Sequence, residues 1–166
     1  MKSFLRLISV LFLCGVLFNP AQVQHQQTID SLINVLKTAK EDTSKVNNLN
    51  ELGRELMYSN PDTVILLGNQ ALALAKKLEW KRGITTSLGN LGSCYFNKGN
   101  YTKSLDYFLS ALKMAEELGD KNGIATFLGN IGNVYETQGE YLKALDYYFK
   151  ALKMAEEIGD KNGIAR

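Results

Sequence analysis

An internal repeat with a period of 40 residues determines which architectures this sequence can form. Residues 85–124 and 125–164 are identical at 25 of 40 aligned positions. A diverged copy precedes them, because the segment 71–75 lies 40 residues before the similar segment 111–115. Self-similarity with a fixed period of roughly 20–50 residues is typical of arrays in which each unit packs mainly against its neighbours. We therefore expect a repeat array.

The apolar residues of each repeat follow helical spacing. In the last repeat they fall into two segments, the first marked by Leu128, Ile131 and Tyr135 and the second by Leu145, Tyr148, Leu152 and Ala155. Gly139 separates the two segments. The pair Gly119-Asp120 is typical of a helix end followed by the N-cap of the next helix. Each repeat is therefore predicted to be two amphipathic helices, and the fold class is all-α.

The repeat and its flanks divide the chain into six predicted segments. These are a signal peptide over 1–22, an N-terminal helix over 27–41, a diverged first unit over 44–80, a second unit over 81–120, a third unit over 121–160, and the start of a further, truncated unit over 161–166. The expected order within each unit is helix A, a tight turn, helix B and a second tight turn.

The first 22 residues have the layout of a secretory signal peptide. Lys2 and Arg6 precede an uncharged run over 7–18, and Ala21 lies near the expected cleavage point. The run is short for a membrane span, which needs about 20 apolar residues, although an uncleaved anchor stays open as the alternative. The predicted location is therefore exported, either periplasmic or membrane-anchored and facing the periplasm.

Charge and residue counts argue against several function classes. Lys2 and Arg6 account for the formal net charge of +2, so the rest of the chain is neutral and offers no electrostatic footprint for nucleic acid. His25 is the single histidine, and Cys94 is the single cysteine outside the signal segment. Phosphate-binding loops, metal-ligand spacings and paired nucleophiles and bases are absent from the sequence. We predict no cofactor, no metal site and no enzymatic activity.

The packing positions of the repeats carry a resemblance to a known family. They are Leu91-Gly92, Tyr95, Gly99, Phe108 and Ala111 in the second unit, and Ile131-Gly132, Tyr135, Gly139, Ala144, Tyr148 and Ala151 in the third. These residues resemble the signature of the tetratricopeptide (TPR) repeat, in the branch whose period is about 40 rather than about 34 residues. The resemblance implies a right-handed α-solenoid of antiparallel helix pairs, that is, a TPR superhelix.

The resemblance also implies where a ligand binds. Related scaffolds hold a protein or peptide ligand on the concave face, which the A helices line. The residues predicted at that face are Arg54 in the first unit, Asn90, Ser93 and Asn97 in the second, and Asn130, Asn133 and Thr137 in the third. The predicted function is that of an exported scaffold for binding a protein or peptide whose identity the sequence does not give.

Several of these residues have more than one interpretation. Asn90 and Asn130 either bind the backbone of a peptide, since an amide offers both donor and acceptor, or tie neighbouring helices together. For Asn133 the binding interpretation is preferred. Cys94 is predicted to be a small core residue, whereas Trp80 either covers a junction between repeats or makes an isolated aromatic contact.

A second function class follows from the order of the segments. A signal peptide, a short helix and the segment 42–46 ahead of TPR units resemble the N-terminal sensory half of bacterial signalling proteins. There the repeats precede a membrane span and a histidine kinase, nucleotide cyclase or helix-turn-helix output domain. Because Arg166 falls near the start of a fourth unit, we expect the array to continue. The alternative function is therefore the sensory input domain of such a protein.

Overall fold

The computed structural model describes residues 20–159 and shows seven α-helices within that range. They are α1 (Pro20–Thr38), α2 (Thr43–Glu55), α3 (Pro61–Lys77), α4 (Lys81–Asn97), α5 (Tyr101–Leu118), α6 (Lys121–Thr137) and α7 (Tyr141–Ile158). The predicted fold class is confirmed, since the helices pack antiparallel in a repeat array. The predicted truncated unit at 161–166 and all but the last residues of the predicted signal peptide lie outside the described residues.

Most helices of the array begin at a side chain that caps their first turn. Asp42, Asn60, Asn100 and Asp120 each accept a hydrogen bond from the backbone N–H three residues further on, at 3.0–3.2 Å. Such a bond satisfies one of the free N–H groups of a helix start. At the other end, Gly119 has φ +64°, the left-handed conformation that a glycine adopts without strain. The tight turns thus follow from local residue chemistry.

The turn between α3 and α4 departs from this pattern. Glu79 and Trp80 stand where the later turn has Gly119 and Asp120, and Glu79 adopts φ +50° although it is not glycine. Trp80 makes no capping hydrogen bond. Its indole instead covers Gly83 and packs against the apolar cluster of the first unit. Of the two interpretations, the structure favours the one in which Trp80 covers a junction between repeats.

The helices pack as three successive pairs. Helix α2 packs with α3, α4 with α5 and α6 with α7, while α3–α4 and α5–α6 contacts join neighbouring pairs. One apolar cluster joins the second and third pairs around Phe108, Phe127 and Ile131, and another joins α1 to the first pair around Ile29 and Val46. Helices α2 and α4 also touch directly, so the A helices lie side by side.

The N-terminal helix α1 differs in extent from the predicted range of 27–41. It begins at Pro20, a residue suited to the first turn of a helix, and the glutamine-rich segment that follows contains no residue that breaks a helix. It ends at Thr38, before the predicted end, because the cap residue Asp42 needs the extended backbone it adopts, with φ −136°. His25 of α1 lies 2.7 Å from Glu55 of α2.

Helix α7 exposes an apolar side chain whose counterpart in the aligned helix α5 is packed. Leu145 is 49% exposed, whereas the aligned Leu105 packs against the cluster that α6 completes. Leu142 and Phe149 are exposed beside it. Within residues 20–159, no helix combines the length and apolar character that crossing a membrane requires.

Candidate functional site

A groove of about 440 Å³ runs along the A helices of all three pairs. Helices α2, α4 and α6 supply most of its lining, and Phe108 of α5 forms part of its floor. The lining residues are Arg54, Met57, Tyr58, Asn90, Ser93, Phe96, Asn97, Phe108, Asn130 and Asn133. The groove therefore combines amide side chains with apolar and aromatic surface.

The structure brings together all the predicted site residues except Thr137. Arg54, Asn90, Ser93, Asn97, Asn130 and Asn133 line the groove. Thr137 does not, and its hydroxyl donates to the backbone carbonyl of Asn133 at 2.8 Å, one turn back in the same helix. Arg54 forms an ion pair with Glu51 on its own helix, so its charge is already partly balanced.

Asn90 takes part in a hydrogen-bond network that joins α2 to α4. Its Nδ2 lies 3.2 Å from the backbone oxygen and 3.3 Å from Oδ1 of Asn50. Asn50, which is only 4% exposed, in turn donates to Ser87 at 3.0 Å. Buried amides need such partners, because an unpaired polar group away from water is costly. For Asn90, the structure thus shows the helix-tying role predicted as one of its two interpretations.

Asn130 is the aligned residue of the next repeat, and its environment is different. It is half-buried in the groove wall, and within residues 20–159 its side chain makes no hydrogen bond. The residue of α4 that corresponds to Asn50 is Gly89, which has no side chain to accept the bond. The amide of Asn130 is therefore available to a ligand.

Asn133, Glu136 and Tyr148 form a polar cluster where α6 meets α7. The Tyr148 hydroxyl lies 2.6 Å from Oε2 of Glu136 and 2.8 Å from the amide of Asn133. A phenol has one proton to donate, and the charged carboxylate is the stronger acceptor. We assign that proton to the Glu136 carboxylate; the Asn133 atom at 2.8 Å is the amide oxygen Oδ1, the second acceptor within reach of the same hydroxyl. Burial, reinforced by the bond to Glu136, raises the pKa of Tyr148 to about 12.

The floor of the groove rests on a close contact between α4 and α5. The ring of Phe108 is 3% exposed and lies against Gly92, where an added Cβ would stand only 2.6 Å from the ring. Ser104 of α5 donates to the Gly92 carbonyl at 2.9 Å. Small residues at both positions let the helices approach closely, and the aromatic ring fills the space beside them.

The aromatic and apolar part of the groove was not predicted from the sequence as a binding surface. Phe108 was assigned to packing through its resemblance to the signature, and Met57, Tyr58 and Phe96 were not singled out. Tyr58 is 90% exposed beside the groove. The available signal was the change of Phe96 and Phe108 to Glu136 and Tyr148 in the next repeat, where Tyr148 contacts the groove-lining Asn133.

The remaining reactive side chains are part of the packing or the surface. Cys94 is fully buried, as predicted; its thiol lies 3.3 Å from the Pro61 carbonyl, and burial raises its pKa. Glu117 pairs with Lys81 across α4 and α5 at 3.1 Å. No cluster of His, Cys, Asp and Glu among the described residues is suited to a metal ion. No catalytic domain is identified in the matched part of the chain.

Comparisons with known proteins agree with this geometry. The sequence profile of the family described as "Tetratricopeptide repeat" matches residues 83–157. A comparison with curated protein sequences finds no match. Among solved structures, the TPR domain of Arabidopsis FLU is similar with a TM-score of 0.64 and 19% identity, covering 70% of this chain and 99% of that one.

Two further solved structures are similar over more of this chain. A Rap protein complexed with Competence and Sporulation Factor has a TM-score of 0.75 and 21% identity, covering 84% of this chain and 39% of that one. A Signal Transduction ATPase with Numerous Domains from Pyrococcus horikoshii, with a tetratricopeptide repeat sensor, has a TM-score of 0.74 and 22% identity, covering 82% and 21%. At these identities the similarity shows the fold alone, and this chain spans less than half of either protein.

Proposed function

We propose that this chain, whose residues 83–157 match the tetratricopeptide repeat family, is a scaffold for another protein. It binds an extended peptide segment of that protein in the groove along α2, α4 and α6. The observation that carries the proposal is the convergence of six predicted polar residues in one groove over an aromatic floor. Amides placed beside an extended chain can pair with its backbone N–H and C=O groups whatever its side chains.

Asn130 supplies the sharpest test, because its amide has no partner among the described residues. A library of random dodecapeptides displayed on phage is selected on the full chain, and an enriched peptide is then synthesised. Asn130→Ala should weaken its binding by about tenfold, the loss expected when a ligand hydrogen bond worth about 1 kcal/mol or slightly more disappears. Fluorescence anisotropy of the labelled peptide measures the dissociation constant.

Asn122→Ala is the matched control, since Asn122 is an exposed asparagine on the same helix that does not line the groove. It should leave the dissociation constant and the melting temperature unchanged. Equal weakening by both variants would place the peptide outside the groove. A library that yields no enriched peptide at all would contradict peptide binding.

We also propose that the scaffold acts after export, in the periplasm or facing it. The support is the layout of residues 1–22, with Lys2 and Arg6 ahead of an uncharged run. A fusion of residues 1–30 to a phosphatase that is active only after export should give cellular phosphatase activity. A Leu11→Arg change within the run should abolish that activity. Activity that survives this change would contradict a signal peptide.

A second candidate function is that of a sensory input domain in a larger signalling protein. Its support is the fold similarity to the P. horikoshii protein, whose repeats are described as a sensor, together with the exposed apolar residues Leu142, Leu145 and Phe149 on α7, which an adjoining helix would cover. The reading frame downstream of Arg166 decides between the two candidates. A membrane span followed by kinase, cyclase or DNA-binding motifs supports the sensor, whereas a capping helix and a stop codon support the free-standing scaffold.

A further inference from the structure

The second and third repeats keep their packing and differ where they face the groove. Both retain the glycine at the close approach of the two helices and the lysine–glutamate pair that joins helix A to helix B, Lys81–Glu117 and Lys121–Glu157, each at 3.1 Å. The positions that change around the groove and at its edge are Ser93 to Asn133, Phe96 to Glu136, Asn97 to Thr137 and Phe108 to Tyr148. Two nearly identical scaffolds thus present two chemically different surfaces.

The second repeat supplies the apolar part of the groove beside its amides. Phe96 and Phe108 line the groove together with Met57 from the end of the first repeat. Phe96 is half-buried and Met57 and Phe108 are buried, so the wall is preformed. Of these three residues, Phe96 has most of the apolar surface still open to water, and an aliphatic or aromatic side chain of a ligand would cover it. Such burial is the favourable term in most recognition sites.

The surface of the third repeat is polar and carries a negative charge. The Glu136 carboxylate is exposed and accepts one hydrogen bond, from Tyr148. A carboxylate can accept about four, and within residues 20–159 no lysine or arginine forms an ion pair with it. Among the described residues, the cation that lines the groove is Arg54, which lies in α2 and is paired with Glu51.

We propose that these surfaces form two adjacent subsites of different specificity, in which Met57, Phe96 and Phe108 take an apolar side chain of the bound peptide and Glu136, held by Tyr148 beside Asn133, takes a lysine or arginine side chain. The proposal rests on peptide binding in the groove as its premise. Charge complementarity selects the basic residue, because the Glu136 carboxylate forms no ion pair within residues 20–159.

The geometry limits the spacing of the two ligand residues. Packed helices lie about 8–10 Å apart, and an extended chain advances about 3.3 Å per residue. The apolar residue and the basic residue of the ligand are therefore expected at least about three positions apart. The basic residue must lie toward α6 and the apolar residue toward α4. The order of these two residues along a peptide therefore fixes the one direction in which it binds.

Selection from the same dodecapeptide library tests the proposal. On the wild-type chain, enriched peptides should combine an apolar residue with lysine or arginine at a fixed spacing. On Glu136→Gln the apolar residue should remain and the basic residue should disappear from the enriched set. Glu116→Gln is the matched control, since it removes an exposed carboxylate near the end of α5 that takes no part in the hydrogen bonds among Asn133, Glu136 and Tyr148. Its enriched peptides should match those of the wild type.

Measured affinities then separate the charge interaction from a structural effect. Replacing the basic residue of an enriched peptide by glutamine should weaken its binding to the wild-type chain about two- to fivefold, the range for an exposed ion pair. The same replacement should have no effect with Glu136→Gln. Glu136→Phe, which copies Phe96, should instead enrich peptides with a second apolar residue.

The outcomes distinguish this proposal from its premise. One outcome is that peptides bind and lose affinity with Asn130→Ala but show no preference for lysine or arginine. This result would contradict the two subsites and leave peptide binding intact. A basic preference that persists unchanged in Glu136→Gln also overturns the assignment of Glu136. If no peptide is enriched on any variant, both the premise and the subsites are wrong.

Discussion

Replacing Gly92 by alanine tests whether the groove floor depends on close approach of α4 and α5. The added methyl would lie 2.6–3.0 Å from three ring atoms of Phe108, distances that van der Waals repulsion does not permit. Phe108 is 3% exposed and packs in the cluster between the second and third pairs. The ring therefore cannot move into solvent, and the two helices must separate.

The expected free-energy change is the balance of two effects. Overpacking a buried site typically costs about 1–3 kcal/mol, while alanine in place of glycine gains up to about 1 kcal/mol in helix propensity. We expect Gly92→Ala to be destabilising by up to about 2 kcal/mol on these figures. For a chain of this length, this lowers Tm by up to about 8 °C, as measured by circular dichroism during thermal unfolding of the full chain.

Gly129 provides a matched control on the next A helix. It also lies in the interior of its helix, but an added Cβ there meets no atom within 4 Å. Gly129→Ala should therefore keep only the propensity gain and raise Tm by about 1–4 °C. A Gly92→Ala variant that is stabilised as much as Gly129→Ala would refute the close contact and, with it, the position of the groove floor.

Three further predictions concern the network, the phenol and the thiol. Asn50→Ala should cost about 1–3 kcal/mol, because it leaves buried partners unsatisfied, whereas Asn130→Ala should leave Tm unchanged; equal effects on Tm would contradict the different environments. Burial and the hydrogen bond to Glu136 raise the pKa of Tyr148. In the folded protein the phenol therefore keeps a proton that the unfolded chain releases near pH 10. The contribution of this pKa shift to the free energy of unfolding is thus complete below about pH 10 and declines up to about pH 12. The tyrosinate absorbance titration of the Tyr148→Phe variant should lack the wild-type component near pH 12. Cys94 should resist a thiol reagent until the chain is unfolded, with the labelled site located by mass spectrometry; rapid labelling of native protein would contradict its burial.

The sequence predicts the fold well because the repeat supplies several independent signals for the same architecture. Asn100 and Asp120 mark helix starts, Gly119 marks a helix end, and the apolar spacing of Leu128 and Ile131 marks a buried face. Each signal acts through contacts within one unit or between adjacent units, so none depends on long-range topology. The extent of α1 was less predictable, because its glutamine-rich start carries no apolar periodicity.

The candidate site was predictable in part, for a physical reason. Which residues face the concave side is implied by the resemblance to the TPR repeat, and this is why Asn90, Asn130 and Asn133 are predicted together. Whether an amide is free depends on its neighbour in the adjacent helix, which the spacing alone does not reveal. Asn90 reaches Asn50, whereas the residue of α4 aligned with Asn50 is Gly89, which has Phe127 against it and no side chain to accept a hydrogen bond. One side chain in the preceding repeat thus decides whether the amide already has a hydrogen-bond partner within the protein.

The aligned residues Phe108 and Tyr148 show how a repeat array acquires specificity without changing its fold. Both rings lie against a glycine of the preceding helix, Gly92 and Gly132, so both fill the same space in their units. The added hydroxyl of Tyr148 reaches the Glu136 carboxylate and holds it beside Asn133, which lines the groove. Because the packing part of the ring is the same, this polar contact arises with little change in packing. The scaffold can therefore vary its ligand contacts one repeat at a time while each helix pair keeps its neighbours.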